Sequence, residues 1–302
     1  MDDRCVHPTG IKVTIRAQHY VLAGGAINSA ALLLRSSAPD PYSLTGRRTF
    51  LHPVPMIQAL MGENVEGYYG APQSVHSDQF LWRDGVEGAM GYKLEVPPLQ
   101  PKLAGALFRA RGEALVRDMR NLPKSNVILA LLRDGFHPQS SGGRVELRND
   151  GSPVLDYPLT DYLWDGVRSA LLTMAEIQFA AGAQSVRPHH YGAPHYRSWK
   201  EARTGIADMR LRPYDTLIGS AHVMGGCPMG EKRSRTLVNS WGEHHYLENL
   251  SVIDGSIFPT SIGANPQLSV YSQATRMATR LSERLHQPLP EVSHSAGIAE
   301  PA

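Results

Sequence analysis

Two stretches decide how this chain is read: Ser220–Gly230, SAHVMGGCPMG, and Leu250–Val270, LSVIDGSIFPTSIGANPQLSV. In the first, His222 stands among small residues, three positions before the pair Gly225-Gly226 and five before Cys227. In the second, Leu250–Ile253 is a short apolar run ending in Asp254-Gly255, which predicts a buried strand with a turn at its end. Asn265-Pro266 then opens a helix, because Asn is a good N-cap and Pro is favoured at the first helical position. Leu268, Tyr271, Ala274, Met277, Leu281 and Leu285 fall on one face of that helix and are expected to be its apolar side. Taken singly, such a histidine is more often a core residue and such an asparagine a plain cap. Their order and spacing carry the information.

The rest of the chain arranges itself around these stretches. Ile11, Val13 and Ile15 alternate with Lys12, Thr14 and Arg16, the pattern of a half-buried strand. A second short strand follows at His19–Ala23, is broken by Gly24-Gly25, and gives way to a helical stretch at Asn28–Arg35. A strand that runs through a glycine pair into a helix suits an α/β cofactor crossover and equally an ordinary strand–turn–helix. From Gly46 to about Arg212 the texture changes, with Pro53, Pro55, Pro72, Pro97, Pro98 and Pro101 punctuating a loop-rich region. Lys102–Arg120 reads as one helix and Val127–Leu132 as a strand. Arg144–Leu147 and Val154–Tyr157 flank Asn149-Asp150-Gly151-Ser152, a hairpin signal. Asp161–Ala183 carries the clearest helical period, through Trp164, Val167, Leu171, Met174 and Gln178, with Gly182 at its end. Beyond Gln287 the sequence reads as a loose tail.

Composition narrows the function. The chain has 302 residues, 30 Lys+Arg against 28 Asp+Glu, and a formal charge of +2, which argues against a main role in gripping nucleic acid or anionic membrane. With 42% hydrophobic and 19% charged residues, a sizeable core is expected rather than disorder. The only cysteines, Cys5 and Cys227, cannot build a disulfide framework or a zinc cage, so a reducing, cytoplasmic setting is the expectation. The start, MDDRC, has no apolar h-region behind it, and Val21–Leu34 is too short and too interrupted to span a bilayer. There is no G-x-G-x-x-G, Walker A, H-E-x-x-H or G-x-S-x-G pattern. His189-His190 with His195, and His244-His245, lack the carboxylate or cysteine spacing of a metal site, and none is expected.

At this order and spacing the two stretches resemble the C-terminal signature of the glucose–methanol–choline (GMC) flavoprotein oxidoreductases. The family's catalytic histidine segment is matched by His222-Val-Met-Gly225-Gly-Cys227. Its strand ending in an Asp-Gly step is matched by Val252-Ile-Asp254-Gly255, and its second His or Asn before the final helix by Asn265-Pro266-Gln267. The Asn-Pro form, with NSWGE and IGANP nearby, is similar to the cholesterol oxidase and long-chain alcohol oxidase branches. Upstream, YVLAGGAINSAALLLRS (Tyr20–Ser36) resembles the family's strand–glycine–helix against flavin adenine dinucleotide (FAD), and GRRTFLHP (Gly46–Pro53) its Gly-Arg…His-Pro segment.

The resemblance implies an α/β fold, the C-terminal portion of a GMC flavoprotein, with a partial FAD-binding domain and an α+β substrate domain built on an antiparallel sheet. It divides the chain into residues 1–48 and 213–286 for the FAD side, 49–212 for the substrate side, and 287–302 as a flexible tail. It implies oxidation of an alcohol to an aldehyde or ketone, with His222 as base and Asn265 holding the substrate oxygen. Ala23, Gly24, Gly25, Asn28, Asp254, Gly255, Pro266 and Gln267 would line the FAD. Cys227 completes the motif without an assigned chemistry. The family's dinucleotide-binding half has no counterpart in these residues, so a separate N-terminal dinucleotide-binding segment is an expected partner. The alternative is a non-catalytic remnant or interaction module that keeps the signature and binds no flavin.

Overall fold

The computed structural model describes residues 5–6, 12–71, 73–83 and 85–286. Ile11 and the expected tail at 287–302 lie outside the described residues. In chain order the elements are β1 (Cys5–Val6), β2 (Lys12–Val13), β3 (Tyr20–Leu22), α1 (Gly25–Arg35), β4 (Arg47–Thr49), β5 (Met56–Leu60), β6 (His76–Ser77) and β7 (Tyr92–Glu95). Then come α2 (Pro101–Leu107), α3 (Gly112–Arg120), β8 (Ser125–Leu132), β9 (Gly143–Leu147), β10 (Pro153–Asp156), α4 (Asp161–Ala180), β11 (Ser185–Pro188), α5 (Trp199–Ala207), β12 (Leu250–Val252) and α6 (Gln267–His286).

One core gathers around an antiparallel five-stranded sheet of order β11-β5-β8-β7-β6, with α4 packed against it and α5 packed against α4. Val167, Leu171 and Met174 of α4 meet Ala130, Leu132 and Tyr92 of the sheet, as the helical period predicts. Thr160 caps α4 by accepting from the Leu163 N–H at 3.3 Å. Gly182, at φ 89°, supplies the left-handed residue that ends it.

A second core joins elements from both ends of the chain. β3 pairs in parallel with β12, Tyr20 against Leu250 and Leu22 against Val252. Leu33 of α1, Val145 of β9, Cys227, Val238 and Met277 of α6 bury against that pair. The β9–β10 hairpin forms at the expected turn, with Gly151 at φ 78° and the Asp150 carboxylate accepting from the Ser152 N–H at 2.9 Å. It joins β4 in a three-stranded sheet and packs against α1.

Three expectations are corrected. Lys102–Arg120 is two helices, because Phe108 turns into the core at 1% exposure and the chain reverses through Arg109 at φ 51° and Gly112 at φ 57°. Among the described residues 12–16, pairing is confined to Lys12–Val13, and Val13 and Ile15 are 43% and 58% exposed; described residues place no layer over their apolar side. On α6, Met277 is buried, but Leu268 is 80% and Tyr271 58% exposed, because a sheet of two strands is too narrow to cover the whole face.

Candidate active site

The site is assembled where the β3–α1 turn meets the end of β12. Asp254 closes that junction from inside. Its Oδ2 accepts from the Gly25 N–H at 2.9 Å and from Ser29 Oγ, and its Oδ1 accepts from the Ser256 N–H at 2.8 Å. The Ser29 hydroxyl oxygen in turn accepts from the Gly24 N–H at 3.0 Å. Both carboxylate oxygens thus bond to the protein, and Asp254 fixes the shape of the β3–α1 turn. Asp254→Ala is expected to lower unfolding stability by about 2–3 kcal/mol, since it strands donors in a buried junction, and urea unfolding of the variant checks it.

Gly25 sits at φ 78°, and a Cβ there would meet nothing within 4 Å. The glycine is needed for backbone direction, and it leaves the edge of the turn open. Ala23, Gly24 and Asn28 are exposed beside it, and Gly255 lies buried behind it. Pro266 is buried and Gln267 exposed at the start of α6, where the Gln267 amide donates to the Tyr271 hydroxyl at 2.7 Å.

The histidine segment threads between the two cores. Gly225 and Gly226 take φ 80° and 100°, and a Cβ on Gly225 would stand 2.2 Å from the Arg48 carbonyl oxygen. Only glycine permits that approach, which seats Met224 antiparallel to Phe50 and ties Gly225 N–H to the Gly255 carbonyl at 3.0 Å. Cys227 is fully buried and its thiol is pushed up to about 12 by burial, so it packs and takes no part in chemistry.

This threading places His222 edge-on to His52, with the two Nδ1 atoms 3.1 Å apart. His52 is completely buried, and burial, reinforced by His222, drives its pKa to about 3. Burial also holds His222 below its ordinary value, with Glu95 pulling upward and Lys93 pushing down. His222 is thus a neutral imidazole at pH 7, with Nε2 left for an external partner while Nδ1 engages His52.

Asn265 arrives from the other side. Its side-chain oxygen, expected to cap α6, instead accepts from Lys93 Nζ at 3.0 Å. Lys93 also pairs with Glu95 at 3.3 Å, and Glu95, 4% exposed, accepts from the Gln73 amide at 2.9 Å. Of the predicted residues, Gly24, Gly25, Asp254 and Gly255 form one junction, while Asn265 bonds to Lys93 of β7 and His222 feels the charges of Lys93 and Glu95. Sequence reasoning missed His52, Lys93 and Glu95. His52 lay within the quoted GRRTFLHP segment, whereas Lys93 and Glu95 carry no local signal beyond strand alternation. Among the described residues, no group of three or more His, Cys, Asp or Glu side chains is placed to hold a metal ion. No helix among them is long and apolar enough to cross a membrane.

The GMC oxidoreductase family profile matches residues 138–274. The chain is 26% identical over 277 residues to an uncharacterized GMC-type oxidoreductase of Sinorhizobium fredii, covering 89% of this chain and 50% of that protein. It is 28% identical over 276 residues to a long-chain-alcohol oxidase of Arabidopsis thaliana, covering 86% of this chain and 36% of the other. A solved structure of Aspergillus oryzae formate oxidase, studied for FAD modification, superposes with a TM-score of 0.65 at 14% identity over 93% of this chain and 57% of that one. The chain is thus similar to the GMC oxidoreductases, and its α/β fold matches about half of a solved member of that family. It spans about half the length or less of these relatives.

Proposed function

We propose that these residues form the catalytic and part of the cofactor-binding half of an FAD-dependent oxidoreductase acting on an alcohol. The observation that carries this reading is an Asn265 oriented by Lys93 of β7 together with a neutral His222 that feels the charges of the same Lys93–Glu95 pair. The fit to FAD rests on the β3–α1 turn. Its backbone edge is open at Gly25, its neighbours Ala23, Gly24 and Asn28 are exposed, and its shape is locked from behind by Asp254. Ala23–Gly25, Asn28, Gly255, Pro266 and Gln267 would hold the flavin portion, with the free N–H groups at the start of α6 favouring negative charge there. When bound, the flavin accepts a hydride from the carbon that bears the hydroxyl.

The chain's own residues handle the oxygen. His222 Nε2 takes the hydroxyl proton as the carbonyl forms, which requires that its Nδ1 carry a proton and donate to His52 Nδ1. The Asn265 amide donates to the same oxygen as negative charge develops on it. The proposed division of labour assigns 1–48 and 213–286 to the cofactor and 49–212 to the substrate.

A dinucleotide-binding segment is part of this proposal. The 302 residues hold no G-x-G-x-x-G turn leading into a helix for the pyrophosphate. Leu268 and Tyr271 of α6 and, separately, Val21 of β3 at 47% leave exposed apolar groups for such a segment to cover. Residues 1–302 purified alone are expected to hold little flavin and to aggregate, and co-production with a GMC dinucleotide-binding segment should restore near-stoichiometric flavin. Flavin absorbance per chain, with and without that segment, decides it. Full flavin in the chain alone would overturn the need for a partner, and no flavin with the segment would favour the non-catalytic alternative.

A further inference from the structure

We propose that Lys93 is a positioning residue that fixes the Asn265 side-chain amide in one of its two flips, with its NH2 group turned toward the substrate oxygen. The inference rests on the alcohol-oxidising role given above to Asn265 and deepens it.

Hydrogen-bond sign separates the two flips. A carboxamide has an acceptor end and a donor end, and a half-turn exchanges them at little intrinsic cost. Only the donor end can stabilise an oxygen on which negative charge grows; the acceptor end would repel it. An ammonium has three donors and no acceptor, so it tolerates only the oxygen end. Lys93 Nζ lies 3.0 Å from Asn265 Oδ1. The Nδ2 hydrogens are thereby left free to donate elsewhere.

Lys93 is itself held in place. Its side chain is 14% exposed, and Nζ lies 3.3 Å from Glu95 and 3.9 Å from Asp78. Glu95 is buried on the same strand and anchored by Gln73. The paired carboxylates let a cation stand beside the site with its charge largely compensated. Such a built-in orientation is worth most in a partly buried site, where water cannot re-sort the amide.

The test uses the flavin-loaded protein, co-produced with its dinucleotide-binding segment, and three substitutions. Lys93→Met keeps the length of the side chain and removes the donor. Asn265→Ala removes the amide. Asn265→Asp keeps an acceptor for Lys93 but has no N–H to offer. Anaerobic flavin reduction by a primary alcohol is expected to slow about tenfold or more in Lys93→Met, with a small change in apparent substrate affinity. Lys93→Met should add almost nothing in the Asn265→Ala background. Asn265→Asp should reduce flavin as poorly as Asn265→Ala yet melt near the wild-type temperature.

Melting temperatures of the two single variants and the double variant give a readout independent of turnover. The pair should be non-additive, with the double no less stable than the worse single variant. An undiminished reduction rate in Lys93→Met, or an equal slowing with and without the amide, would overturn the inference. If the wild type reduces its flavin with no alcohol, the alcohol reading has failed. Additive melting shifts would then show separately that Lys93 does not hold Asn265.

Discussion

In the flavin-loaded protein, His222→Ala is expected to lower kcat by roughly 10²–10⁴, the usual worth of a positioned acid–base group. Flavin content should stay unchanged, because no contact at the β3–α1 turn or at Asp254 passes through the imidazole. The Nδ1 contact with His52 is the side chain's hydrogen bond on the protein side. Its loss leaves a neutral imidazole behind rather than a buried charge, so the folded state should tolerate the change. The pH profile supplies a second readout. Burial lowers the His222 pKa, so the acid limb of kcat/KM should fall below pH 6.5, the ordinary value for histidine. Retained turnover in the alanine variant would make His222 a packing residue.

The second large effect concerns stability in mild acid. Three histidines are almost wholly buried: His52 at 0%, His189 at 1% and His244 at 5% exposure. Burial, the largest cause in each, lowers their pKa values to about 3, about 3 and about 4. His189 sits under the Phe108 ring, with its ring nitrogens unpartnered and the Arg187 charge nearby. In the unfolded chain all three titrate near 6.5. Between these values the unfolded state binds protons that the folded state refuses, so stability rises with pH and falls as pH is lowered. The contribution is complete above pH 6.5 and is lost as pH falls toward 4 and then 3.

Each such group costs about 1.4 kcal/mol per pH unit within its window, so three acting together remove several kcal/mol by about pH 4.5. That is comparable with the whole stability of a typical domain. Urea midpoints of the flavin-loaded protein should therefore drop steeply between pH 6.5 and 4.5, above the range in which most carboxylates titrate. A flat profile across that interval would mean that these imidazoles are protonated, and solvated, in the folded state.

Much of the local architecture could be read from residues that permit only one backbone. Asn149–Ser152 specified its turn, and Gly182 ended α4, because a left-handed residue is needed there and glycine supplies it at no steric cost. Gly25, Gly225 and Gly226 marked two further turns for the same reason, together with close backbone approach at Gly225. The Leu250–Val252 strand and its Asp-Gly end were legible from burial and turn chemistry. The Lys102–Arg120 break was not, because the pull of Phe108 into a core built with Leu99, Leu122 and Val127 exists only after folding. The α6 face misled for a related reason, since periodicity reports which side is apolar and says nothing of how wide a layer will cover it.

By itself, then, the sequence determined the chemical types at the proposed site, a histidine among glycines and an asparagine before a helix, and the turns beside them. Tertiary structure alone decided what surrounds those groups. His52 is 170 residues from His222, and Lys93 is 172 residues from Asn265. Those contacts arise because β7 enters one sheet while the histidine segment and α6 return to the β3–β12 junction. Asp254 shows the same division within a single residue. Its place at a strand end was visible in the sequence, but only the folded junction turns its carboxylate inward, where it satisfies the free N–H groups at Gly25 and Ser256.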